Sequence, residues 1–187
     1  MNPARHLVLV GPMGAGKTSI GRCLARHFGL DFADSDHEVE IRTGAGIPTI
    51  FDCEGEAGFR AREREVLAAL LAGPGTVLAT GGGAVIDPGN RQLLAGKGFV
   101  VHLRADVPAQ LERLARDRSR PLLATGDREA TLRRLAAKRD PLYAEVADLA
   151  FDTRQLPAAD AARRLAGLLE SQWRRETCDQ PRPEPAA

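Results

Sequence analysis

The residues best placed to do chemistry lie in Gly11-Pro-Met-Gly-Ala-Gly-Lys-Thr18. An apolar run, Leu7-Val-Leu-Val10, precedes them, and a helical pattern of Ile20, Leu24, Ala25 and Phe28 follows. Strand, glycine loop and helix form the setting in which G-x-x-x-x-G-K-[ST] cradles a polyphosphate. The glycines let successive backbone N–H groups turn inward, and the helix N-terminus adds unpaired donors and partial positive charge. On this reading Gly14, Ala15, Gly16, Lys17, Thr18 and Ser19 bind the nucleotide; Lys17 reaches the β- and γ-phosphates, and the Thr18 hydroxyl ligates Mg²⁺. A plain glycine turn is the bland alternative, but eight positions and both flanks fit the motif. A nucleoside triphosphate site is expected.

Three further groups carry candidate chemistry. Asp34-Ser-Asp36 follows a strand pattern, and a carboxylate there can accept a hydrogen bond from a hydroxyl, orienting it or taking its proton. Asp34 could hold Mg²⁺ through water, or it could simply cap the next helix; Asp36, one step further in, is harder to explain as a cap. Gly81-Gly-Gly83 ends the strand Thr76–Thr80 and lets backbone press against a small ligand. Arg60, Arg120 and Arg139 offer planar forks for a carboxylate or a transferring phosphoryl group. Most arginines are solvated surface, and Arg62, Arg64, Arg113, Arg118, Arg128, Arg133 and Arg134 are read that way.

The elements that must position these groups alternate strand and helix. Helical patterns cover 17–28, 36–42, 49–53, 56–71, 88–95, 107–116, 128–146 and 158–173, and strand patterns cover 7–10, 31–34, 76–80, 99–103 and 149–152. Such alternation predicts a three-layer α/β/α fold around a five-stranded, mostly parallel sheet. Ligands of these sheets gather at the carboxyl ends of the strands, so one rim can join Gly11–Thr18, Asp34–Asp36 and Gly81–Gly83.

The 187 residues suit one domain, expected over 1–173, with 174–187 (Pro181, Pro183, Pro185) read as a disordered tail. A net charge of +1 makes no case for nucleic acid or membrane as partner, although residues 104–139 carry ten Arg/Lys against five Asp/Glu. Cys23, Cys53 and Cys178 are odd in number and widely spaced, giving no disulfide or metal framework. With no secretory leader or membrane-length apolar run in view, a cytoplasmic monomer is expected.

Six motifs in order resemble the shikimate kinase family over residues 7–170: Gly11–Thr18, Asp34-Ser-Asp36, Gly55-Glu56 with Phe59-Arg60, Gly81–Gly83, Arg120-Pro-Leu-Leu123 and Arg139. The resemblance implies a fold like the nucleoside monophosphate kinases. It implies transfer of the ATP γ-phosphate to the 3-hydroxyl of shikimate, on the route to chorismate and the aromatic amino acids, with Mg²⁺ as cofactor. It assigns shikimate to Asp36, Arg60, Gly81, Gly82, Gly83 and Arg139, with substrate-binding helices at 35–62. It makes 112–125 a mobile lid whose Arg120 contacts ATP, and it puts Thr153-Arg-Gln155 near the adenine. Lys17, Asp36 and Arg120 then form the catalytic set. Gly46 and Leu156 depart from the polar residues common in the family. The nearest rivals are a gluconate kinase-like or nucleoside monophosphate kinase activity. A GTP-binding switch, suggested by Asp52-Cys-Glu-Gly55 and Ala137-Lys-Arg-Asp140, fails because both stretches lie in or against helical patterns.

Overall fold

Every residue of the strand His6–Val10 is buried, so both faces of the sheet that holds it must be covered. The computed structural model describes residues 3–115, 123 and 126–175. Its strands are β1 (Pro3–Ala4), β2 (His6–Val10), β3 (Asp31–Asp34), β4 (Thr76–Ala79), β5 (Gly98–Arg104), β6 (Leu149–Asp152) and β7 (Arg174–Arg175). The helices are α1 (Lys17–Phe28), α2 (Ser35–Thr43), α3 (Ile47–Ala72), α4 (Pro88–Lys97), α5 (Val107–Arg113), α6 (Arg128–Val146) and α7 (Ala158–Gln172). Five strands pair in parallel in the order β3-β4-β2-β5-β6, the architecture expected from the alternation.

The period of two along β2 feeds two cores. Leu7 and Leu9 pack with Ile20, Leu24 and Leu165 under α1 and α7. Val8 and Val10 pack with Leu67, Leu94, Tyr143 and Val146 under α3, α4 and α6. A smaller cluster of Val39, Ile50, Phe59 and Val66 fastens α2 to α3. The left-handed Gly29 stops α1 (φ 61°). Gly55 (φ 70°, ψ −177°) interrupts α3, so the two helical patterns read on either side of it survive as halves of one span.

Of the boundaries that differ from the sequence reading, two bear on the expected lid and tail. Helix α5 ends at Arg113 rather than Arg116, with Leu114 in its cap position. The C-terminal end runs past Trp173: Arg174–Arg175 pairs with Pro3–Ala4, and Trp173 Nε1 donates to the Ala4 carbonyl at 2.9 Å. Regular structure therefore enters the first two residues of the stretch read as tail, and residues 176–187 lie outside the described residues. Most of the 112–125 segment, Arg120 included, also lies outside them. No helix among the described residues is long and apolar enough to cross a membrane.

Candidate active site

Strands β2, β3 and β4 end side by side, and their ends deliver the phosphate loop, Asp34-Ser-Asp36 and Gly81–Gly83 to one rim. The loop turns through Gly14 (φ 77°) and Gly16 (φ 87°), backbone that side chains rarely adopt. Lys17 Nζ donates to the Gly11 and Pro12 carbonyls at 2.8 Å each, which fixes the ammonium against the loop. The Thr18 hydroxyl donates to Asp34 Oδ2 at 2.7 Å. The other Asp34 oxygen caps α2, accepting from the N–H groups of Asp36 (3.1 Å) and His37 (3.5 Å). The two readings of Asp34 are thus compatible, one per oxygen.

Serine 35 stitches the second motif to the third. Its buried Oγ accepts the Gly81 N–H at 2.9 Å. A Cβ on Gly81 would stand 2.5 Å from Asp36 Oδ1 and 2.7 Å from Glu63 Oε1. A Cβ on Gly83 would collide with the Arg60 guanidinium. Glycine at both positions leaves room for charged side chains that a methyl group would force to shift, a reason the motif spacing did not contain.

Arg60 lies between two acids of its own helix, with Nη1 2.7 Å from Glu63 Oε2 and Nη2 3.1 Å from Glu56 Oε1. Burial alone would lower its pKa, but Glu63 and Glu56 more than offset that and raise it. Glu63, fully buried, is shifted upward by burial, with Arg60 opposing and Asp36 adding to the rise. Glu63 is a residue of the site that the motifs do not include. The available signal was its i,i+3 spacing from Arg60, which turns both to one helix face.

Arg139 is only 5% exposed. Burial, helped by the like charge of Arg60, lowers its pKa. One cavity of about 480 Å³ joins Lys17, Thr18 and Gly14 to Asp34, Asp36 and Gly82. Arg60 and Arg139 do not line it: Arg60 stands behind Gly83, and Arg139 faces a small hollow with Tyr143, Pro12 and Met13.

Two arginines read as solvated surface also hold neighbouring loops. Arg113 Nη1 donates to the Gly14 carbonyl at 2.9 Å and to Thr153 Oγ1 at 3.1 Å, and Nη2 to the Thr153 carbonyl at 2.6 Å. It ties the phosphate loop to the loop after β6, and with Gln155 and Leu156 it lines a separate hollow. Gln155 is thus placed near the phosphate loop's outer side through Arg113 and apart from the main cavity. Arg128 donates to the Leu114 carbonyl at 3.0 Å. The available signal for Arg113 was its place at the end of a helix leaving the strand-end rim.

A parallel sheet, a phosphate loop with its lysine, and a carboxylate sharing the loop's cavity define a phosphate-loop kinase of the kind that acts on small molecules. The family model described as shikimate kinase matches residues 13–170, and the chain belongs to that family. A protein named shikimate kinase from Stenotrophomonas maltophilia (strain K279a) is 60% identical over 94% of this chain and 98% of its own. A solved structure of shikimate kinase from Acinetobacter baumannii in complex with shikimate superposes with a TM-score of 0.87 at 50% identity, over 90% of this chain and 94% of that one. The shikimate kinase of Bacteroides thetaiotaomicron gives a TM-score of 0.82 at 31% identity, over 88% and 98%.

Proposed function

We propose that the protein transfers the γ-phosphate of ATP to the 3-hydroxyl of shikimate, giving shikimate 3-phosphate and ADP. The observation that carries this reading is the single cavity in which Asp36 and Gly82 meet Lys17 and Thr18. A polyphosphate on the loop and a hydroxyl on Asp36 then stand in reach of direct, in-line transfer. Asp36 accepts the hydroxyl's hydrogen bond and receives its proton as the phosphoryl group leaves ADP. Lys17 offsets the charge that develops on the moving group. Arg60, behind Gly83, and Arg139 take the acid's carboxylate, while Gly81 and Gly83 leave room for Asp36, Glu63 and Arg60. Arg120 is assigned to ATP by the family resemblance alone.

The Thr18 hydroxyl and the Asp34 carboxylate, 2.7 Å apart, are hard oxygen donors of the kind Mg²⁺ takes. Thr18 would hold the ion directly and Asp34 through water; when bound, it neutralises charge on the β- and γ-phosphate oxygens. A cytoplasmic setting belongs to the same proposal, supported by the free thiols of Cys23 and Cys53. The test is phosphate transfer from ATP and from GTP to shikimate, gluconate and AMP in parallel. Transfer from ATP to shikimate is expected to dominate. Preference for gluconate, AMP or GTP would overturn the reading.

A further inference from the structure

Strand β3 leaves the sheet before its neighbour does. Its parallel pairing with β4 ends at Asp34↔Ala79, and at Ser35 the chain turns into α2. Beyond that last pair the Thr80 N–H donates to the Leu9 carbonyl of β2 at 3.1 Å. By the alternation of a strand, the N–H of Gly81, a buried residue, then points to the side that β3 has vacated. A buried N–H without an acceptor is costly, and the Ser35 side chain supplies one. Its Oγ, on a residue with no exposed surface, accepts the Gly81 N–H at 2.9 Å. The Gly81 carbonyl accepts the Ala84 N–H at 3.1 Å, so Gly81 is held on both sides. We propose that Ser35 is a positioning residue for Asp36, its hydroxyl standing in for the lost strand partner and keeping Gly81 as a fixed backing for the Asp36 carboxylate.

The inference rests on the reading of Asp36 as the acceptor of the substrate's hydroxyl and adds what keeps that carboxylate aimed. Gly81 borders it closely: a Cβ there would stand 2.5 Å from Asp36 Oδ1 and 3.3 Å from Asp36 Cγ. The same point lies 2.7 Å from Glu63 Oε1, a buried oxygen without a hydrogen-bond partner among the described residues. Two carboxylates therefore approach each other beside Gly81, and their like charges repel, as the upward push of Asp36 on the Glu63 pKa records. Asp36 keeps its place only while the main chain around it does. Asp34 cannot supply the tie, because its oxygens are taken by Thr18 and by the first N–H groups of α2. Without the Ser35 hydroxyl, the start of α2 and the end of β4 are free to part beyond the last ladder pair. Phosphoryl transfer is sensitive to misplacements of about 1 Å, so turnover suffers before binding does.

Ser35→Ala removes the acceptor and little else. Assayed on the whole enzyme with ATP and shikimate, the variant is expected to lower kcat about 10- to 30-fold, with the KM for each substrate held within about threefold. Ser35→Thr, which restores an acceptor oxygen, should keep kcat within about threefold of the wild type. In an Asp36→Asn background, followed with radiolabelled ATP, Ser35→Ala should cost less than about a further twofold, because the carboxylate it aims is gone. A residue that only stabilised the fold would keep its full cost there. An unchanged kcat in Ser35→Ala, a matching rise in the KM for ATP, no recovery in Ser35→Thr, or a full further loss in the Asp36→Asn background would each overturn the role of Ser35. An Asp36→Asn enzyme as fast as the wild type would instead overturn the reading of Asp36 beneath it.

Discussion

The phosphate loop and the Gly81–Gly83 corner both rely on glycine, for different reasons. In the loop, Gly14 and Gly16 sit at positive φ, so the backbone itself demands them, and in the proposed function that backbone meets the nucleotide. Gly81 and Gly83 have no positive φ; a methyl group there would strike Asp36, Glu63 or Arg60. One half of the site is made of main chain shaped by torsion angles. The other is made of buried and half-buried charges gathered from α2, α3 and α6, with glycines marking where some of those charges need room. The first half tolerates change in its outer side chains. The second depends on each charge keeping its partner, because a buried charge without one is costly.

The largest expected effects break the two halves separately. Asp36→Asn should lower kcat by about 10²- to 10⁴-fold with ATP affinity nearly intact, and Lys17→Ala by about 10³-fold with shikimate affinity nearly intact. Steady-state kinetics with direct titration of each ligand checks both, and a shared loss of both affinities would merge the halves. Next comes the cost of desolvated histidines in the sheet. Burial, and then the nearby Arg104 and Lys17, push the His102 pKa from 6.5 down to about 4. The unfolded chain therefore gains a proton that the fold refuses between those values, and stability falls as pH drops from about 6.5 to about 4, by about 3 kcal/mol at full extent. His6 acts in the same direction, through burial. Denaturant titrations across this range should show the slope, and His102→Phe should remove most of it.

Gly83→Ala sharpens the contrast further. Its methyl group displaces Arg60, so kcat/KM for shikimate should fall about 10- to 100-fold while the KM for ATP holds. Equal damage to ATP binding would mean that the corner serves the nucleotide instead. The smallest effect is expected at Arg113, whose exposed guanidinium links Gly14 to Thr153. Arg113→Ala should raise the KM for ATP about three- to tenfold and leave that for shikimate alone.

How far each half could be read in the sequence follows from how it is built. The loop's requirements are local, so eight consecutive residues and their flanks announce it. Asp36 was legible because a strand end and a following helix place it on the rim. Arg113 and Arg139 are the same residue type in similarly charged stretches, and only the fold shows that one bridges two loops while the other is buried against Tyr143. Glu63 hides in Arg60-Ala-Arg-Glu-Arg-Glu-Val66, which reads as a solvated charge run; its inward turn is set by the packing of α3 beside β4. The β1–β7 pair is two residues on each side, too short to carry a period.

The most direct test is a crystal structure of the enzyme with shikimate and a non-hydrolysable ATP analogue. The expected result has the carboxylate between Arg60 and Arg139, the 3-hydroxyl within hydrogen-bond reach of Asp36, and the γ-phosphate analogue facing that hydroxyl across the shared cavity. Shikimate bound away from Gly81–Gly83, or turned with its carboxylate toward Asp36, would contradict it.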